Sequence, residues 1–225
     1  MTQFFESSCA VAIWIIAILE LLLLGFMVYR YIKTKSKITL LTAFITFGLF
    51  FDAFIIALGA FTSAENLRVI SQFRFIAHGL LIPLLFAICA LALDFKSPWN
   101  KVLYILTAVL MVAGLAEAIA TNLEVREIAN ISRMASSDLT PSWANAISRV
   151  LSFGTVIPLM AFGIAAWIKQ KTPFLFLSGF FMFAFSALGP ATGNSAYIFY
   201  ISMYGELLMV TFLLLYAIKK EGRFI

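Results

Sequence analysis

One histidine, His78, and two cysteines, Cys9 and Cys89, are all the imidazole and thiol this 225-residue sequence offers. A lone histidine cannot ligate a haem from both sides, and no HxxxH or HExxH spacing exists to hold zinc. The cysteines fall on different expected helices without a CxxC, which argues against a redox pair or a cysteine metal site. Charge is scarce as well. Asp, Glu, Lys and Arg together make 12% of the chain, too few to coat a soluble globular domain of this size, while 63% is hydrophobic. Soluble domains run at roughly 45–50% apolar and about 25% charged. The chain therefore reads as an integral membrane protein. A positive n-region is missing from the opening residues "MTQFFESSC", so the first helix is expected to insert without a cleaved leader. No internal repeat is visible. Seven-helix sugar exporters repeat helices 1–3 as 5–7, often with matching proline kinks. Here the fifth helix carries Pro158 and the first carries no proline.

A helix that crosses about 30 Å of hydrocarbon needs roughly 20 apolar residues. Runs of that kind cover about 10–29, 38–61, 69–93, 102–121, 143–167, 174–190 and 196–218. Long runs without alternation favour helices over barrel strands. The expected fold is all-α: a polytopic seven-helix bundle forming one domain over residues 1–225. Its shortest member is the phenylalanine-rich sixth run, "FLFLSGFFMFAFSALG". The one long connection, about 122–142, is polar and is expected to hold a short surface helix. It also contains the glycosylation sequon Asn130-Ile131-Ser132, a pattern short enough to arise by chance.

Charge placement sets the expected orientation. Arg30, Lys33, Lys35 and Lys37 follow the first run, Lys96 and Lys101 the third, Lys169 and Lys171 the fifth, and Lys219, Lys220 and Arg223 the seventh. Arg68, Arg126 and Arg133 occupy the alternate connections with acidic residues beside them. The positive-inside rule then puts the N-terminus outside and the C-terminus inside, which an odd helix count requires. Trp14 and Trp143 fall near the outer boundary, and Trp99 and Trp167 near the inner one, as an aromatic belt demands. This pattern accounts for the net charge of +5 without a nucleic-acid partner. A multi-pass protein of the plasma membrane or a bacterial inner membrane is expected, with the lipid bilayer as its first partner and homo-oligomerisation left open.

Ionisable groups within spanning helices are costly and usually face a bundle interior or a watery cavity. They are Glu20, Asp52, Arg74, His78, Glu117 and Glu206, drawn from five of the seven runs. Arg74 and His78 are four apart and share a helix face. Asp52 is the expected partner of Arg74, because a short connection sets the second and third helices side by side. Glu20 and Glu206 stand at similar depth on the first and last helices. Such residues also serve as interhelical glue, at about 0.6 kcal/mol for each contact. Contributions from five helices favour a ligand or proton site over glue. Phenylalanine stripes are read as packing or lipid-facing surface. No nucleophile–base–orienter set appears, so a non-enzymatic role is expected.

The segment "RFIAHGLLIPLL", residues 74–85, resembles the third helix of the microbial rhodopsins. That family carries an arginine, then an aromatic residue, an acidic counter-ion, a tryptophan and threonines, with Pro-Leu-Leu nine residues after the arginine. Arg74, Phe75 and Pro83-Leu84-Leu85 fall at those places. Seven helices, an outside N-terminus and a similar chain length are also what the resemblance implies. The departures concern the chromophore. Ala77 stands at the counter-ion place, His78 at the tryptophan, and Leu81 and Ile82 at the threonines. The family binds retinal through a lysine in its seventh helix, where this chain has Lys219 and Lys220 only at the inner end and Glu206 near mid-depth. No covalent retinal and no other cofactor is expected. The leading reading is a protein with an outward-facing buried polar cavity that binds a small ligand or proton for signalling or transport. The alternative is a rhodopsin-like scaffold that holds a retinoid or carotenoid non-covalently, without light-driven pumping.

Overall fold

The computed structural model describes residues 2–94, 98–191 and 198–222, with side chains described from Ser8 onward and not for 189–198. Lys96 and Arg223, used above for orientation, lie outside the described residues. Eight helical segments make a bundle: α1 (Thr2–Thr34), α2 (Lys37–Leu58), α3 (Arg68–Leu81), α4 (Leu84–Leu93), α5 (Trp99–Ala120), α6 (Ser142–Gln170), α7 (Phe174–Ala191) and α8 (Ile198–Glu221). Segments α3 and α4 are one kinked span. Pro83 has no N–H to give and ends α3, and a tighter turn bridges the break, with Leu85 N donating to Ile82 O and Phe86 N to Pro83 O. Among the described residues six helices are long and apolar enough to cross a membrane; α7 offers only the shorter apolar stretch Phe174–Leu188.

Each span packs on the next, and α8 returns to both α1 and α2, so the bundle closes on itself. Where α3 meets α5 the backbones touch. A Cβ on Gly114 would stand 2.3 Å from Gly79 O, and one on Gly79 2.5 Å from Gly114 O. Glycine is the residue that permits such an approach. Helices α6 and α7 meet as closely at Gly163, whose Cβ would lie 2.4 Å from Phe176 Cα.

The expected surface helix in the long connection is not there. Residues Leu123–Ile128 (β1) and Ile131–Ser136 (β2) pair antiparallel as a hairpin instead. Its two-residue turn, Ala129-Asn130, has φ of 53° and 60°, the left-handed pair that matches strand twist in a tight hairpin. The hairpin is pinned to the end of α2, where Ser132 N donates to Gly59 O at 3.0 Å and Ala64 N donates to Ser132 Oγ at 3.0 Å.

The opposite end holds the lysines and is cross-tied. The last carbonyls of α4 lack intrahelical partners, as at any helix C-terminus. Polar side chains from two other helices take them up. Lys169 Nζ donates to Leu93 O, Gln170 Nε2 and Tyr216 OH to Ala92 O, and Lys220 Nζ to Leu91 O and Ala92 O, over 2.6–3.2 Å. Nearby, Glu221 accepts from Arg30 Nη2 at 2.5 Å and from Thr39 Oγ1 at 2.6 Å, joining α8 to α1 and α2. The main apolar core lies on this side, around Leu49, Leu85, Ile88, Leu159, Val210 and Tyr216. A second core toward the hairpin joins Ile13, Ile16, Ala53, Ile56 and Met203, and includes Ile131 of β2.

Candidate functional site

Arg74 anchors the site. Its position on α3 turns the guanidinium into the bundle, where the residue is 6% exposed. Nε lies 3.2 Å from Asp52 Oδ1 on α2, and Nη2 donates to Met134 O on β2 at 2.8 Å. The plane of Phe75 lies under the same group, 4.8 Å from Cζ to ring centroid. One turn along α3, His78 faces the same space.

That space is a cavity of about 490 Å³, and Asp52, Arg74, His78, Glu117 and Glu206 all line it. Five of the six candidate residues are thus gathered from α2, α3, α5 and α8. Glu117 is held by its own helix, with Thr121 Oγ1 donating to Oε1 at 3.2 Å, and Ser148 of α6 also bonds to it. Glu206 is 7% exposed. Glu20 is the exception. It is completely buried and does not line this cavity, and neither carboxyl oxygen has a hydrogen-bond partner among the described residues. Its ionisable neighbours include Glu206 and Asp52.

Arg133 was not foreseen as part of this set. Read as a residue of a polar connection, it carried no sign of folding back over the bundle. In β2 it lines the cavity beside Ala135 and Ser136, with Cζ 4.1 Å from the centroid of the Phe199 ring. Its Nε is buried and has no hydrogen-bond partner among the described residues. Burial first, and then the like charge of Arg74, pull the Arg133 guanidinium down to about 10. It stays charged at neutral pH, in a place that opposes the charge. A cation–π contact offsets part of that cost, on the order of 1–2 kcal/mol.

A second cavity of about 330 Å³ adjoins the first and shares His78, Leu151, Ser152, Ser202 and Glu206 with it. Its remaining wall is mainly apolar, with Leu49, Ile82, Leu85, Val156, Met182 and Met209 prominent. Charge of both signs on one side and hydrocarbon on the other make the joined space amphipathic. Among the described residues no three of His, Cys, Asp and Glu come together as a metal site. No protein-family model matches the chain, and no curated protein matches it either.

Proposed function

We propose that this multi-pass membrane protein binds a small ligand or a proton in the polar cavity and couples that binding to transport or signalling, without catalysis. The chain acts as one domain in a plasma or bacterial inner membrane, with its hairpin end outside and its lysine end inside. One observation carries the reading. Five ionisable side chains from four helices converge on a single cavity, although a charge within a bilayer costs on the order of 2.5–3.5 kcal/mol even by the mildest scale. Glue between helices calls for contact rather than a void. The buried Arg74–Asp52 pair supports the same view, because such pairs contribute little net stability over apolar packing.

Native mass spectrometry of gently purified protein tests the reading. A small-molecule adduct is expected on the native chain and should be lost in Glu206→Gln. Protein that carries no adduct and whose proton uptake is unchanged by Glu206→Gln would count against it.

The second reading, a rhodopsin-like scaffold with a non-covalent retinoid or carotenoid, is favoured by the apolar chamber that meets His78. It predicts a visible absorption band that appears only when the polyene is supplied.

A further inference from the structure

A wholly polar ligand would leave the apolar chamber unused. A wholly apolar one would leave Arg133 in no ion pair among the described residues, with Asp52, already paired to Arg74, as its opposite charge. The two cavities meet at His78, Ser202 and Glu206, so one molecule can occupy both. At the polar end the carboxyls are already engaged: Asp52 by Arg74, and Glu117 by Thr121 and Ser148. Arg133 offers a fork of N–H donors whose geometry matches a carboxylate. Arg74 and Arg133 both line the polar cavity and neither lines the apolar chamber, so an anionic head is drawn to the arginine side of the junction at Glu206. That fixes polarity within the site, with the head toward the hairpin and the tail toward the lysine end.

The chamber also reaches the lipid-facing surface. Ser152 and Phe153 of α6 line it, yet both are exposed on the outside of the bundle, and Phe183 on α7 is exposed as well. Helices α6 and α7 are clamped at Gly163 and Gly179, where a Cβ would collide with Phe176 and Met160. The chamber lies between α6 and α7 on the hairpin side of that clamp, so its opening faces hydrocarbon.

We propose that the ligand is a single-chain amphiphile with a carboxylate head, which passes from the bilayer between α6 and α7, sets its head at Arg133 and Arg74, and lays its tail in the apolar chamber. This assignment rests on the polar cavity being a ligand site.

The test uses radiolabelled dodecanoate and the full chain in lipid nanodiscs, with protein-free discs subtracted. One saturable site per chain is expected. Dodecylamine should fail to compete, and butyrate should compete only weakly. Arg133→Gln should weaken binding about tenfold or more, as expected for loss of a charge-assisted hydrogen bond. Arg133→Lys should retain part of the affinity, which separates loss of binding from loss of fold. Met182→Trp, which fills the chamber, should also weaken dodecanoate while leaving butyrate unchanged. Equal competition by dodecylamine, full affinity in Arg133→Gln or Met182→Trp, or no saturable site would each overturn the proposal. If that happens while the native chain still carries an adduct lost in Glu206→Gln, only the amphiphile assignment falls.

Discussion

Arg74 reaches Asp52 at 3.2 Å and spends a second nitrogen on Met134 O at 2.8 Å. One guanidinium therefore ties α2, α3 and the hairpin together at the wall of the cavity. Arg74→Ala would leave the Asp52 carboxylate without its counter-charge, and a loss of roughly 3–5 kcal/mol is expected. In a double-mutant cycle with Asp52→Asn, the combined loss should be smaller than the sum of the two. Reversible unfolding in mixed detergent measures it; additive losses would show that the pair does not interact.

The glycine contact between α3 and α5 makes a second prediction. Gly79→Ala and Gly114→Ala each push a methyl group into backbone atoms 2.5 and 2.3 Å away. Backbone cannot move aside as a side-chain tip can, so each should cost at least the roughly 1–3 kcal/mol of an overpacked core. Gly25, with nothing within 4 Å of its added Cβ, is the control. Gly25→Ala should raise stability slightly, by up to about 1 kcal/mol, through helix propensity. Thermal melting of the three variants distinguishes them.

Two ion pairs of similar length should differ in worth. Glu221 and Arg30 pair at 2.5 Å with side chains 11% and 6% exposed, whereas Glu65 and Arg68 pair at 2.9 Å with 59% and 55% exposed. Water and entropy take most of the value from the exposed pair, so Glu65→Ala should cost about 0–1 kcal/mol. Glu221→Ala removes the acceptor of both Arg30 and Thr39 and should cost about 1.5–3 kcal/mol or more. Raising the salt concentration should shrink the first effect and spare the second.

Orientation is testable by single cysteines. With Ser63→Cys or Asn130→Cys at the hairpin end, an impermeant thiol reagent should label intact cells; with Lys35→Cys it should not. The reverse pattern would overturn the lysine-based assignment. Cys9 and Cys89 are 0% and 1% exposed, so the native thiols should stay silent in this assay.

Supplied retinal should form no borohydride-trappable adduct with the native chain. Schiff-base formation needs an amine, and the residues of α8 that line both cavities are Ser202 and Glu206. Lys220 is committed at the far end to Leu91 O, Ala92 O and Asp94. A trapped adduct in unmodified protein would contradict this assignment.

Much of the bundle was legible because apolar length is a strong signal. Each of the seven expected runs falls mainly on described helix, although 196–197 of the last lie outside the described residues and 59–61 of the second lie beyond α2. The Asp52–Arg74 pairing followed from one short connection. Helix ends were less legible: α1 runs on to Thr34, because nothing polar in "VYRYIK" stops a helix. Pro83 was visible as a residue but not as a break between two helical segments. The hairpin escaped notice for a physical reason. Its turn uses Ala129 where the left-handed backbone favours Asn or Gly, and its outer residues are too polar to show clear alternation. Arg133 was lost with it, since only the folded-back strand brings that side chain to the cavity.

The ties on Leu91, Ala92 and Leu93 have a mechanical consequence. They bind α4, α6 and α8 at one end, where the bond from Thr39 to Glu221 adds α2, while the two cavities lie toward the other. Any change in cavity volume would then be a tilt about that tied end, working as a fulcrum. A 22-residue helix such as α2 is about 33 Å long at 1.5 Å per residue. Tilting it by about 5° would carry its far end roughly 3 Å, enough to pull Asp52 and the hairpin's anchor at Gly59 away from Arg74. A small rotation at the lysine end would thus be read out as a broken ion pair under the hairpin.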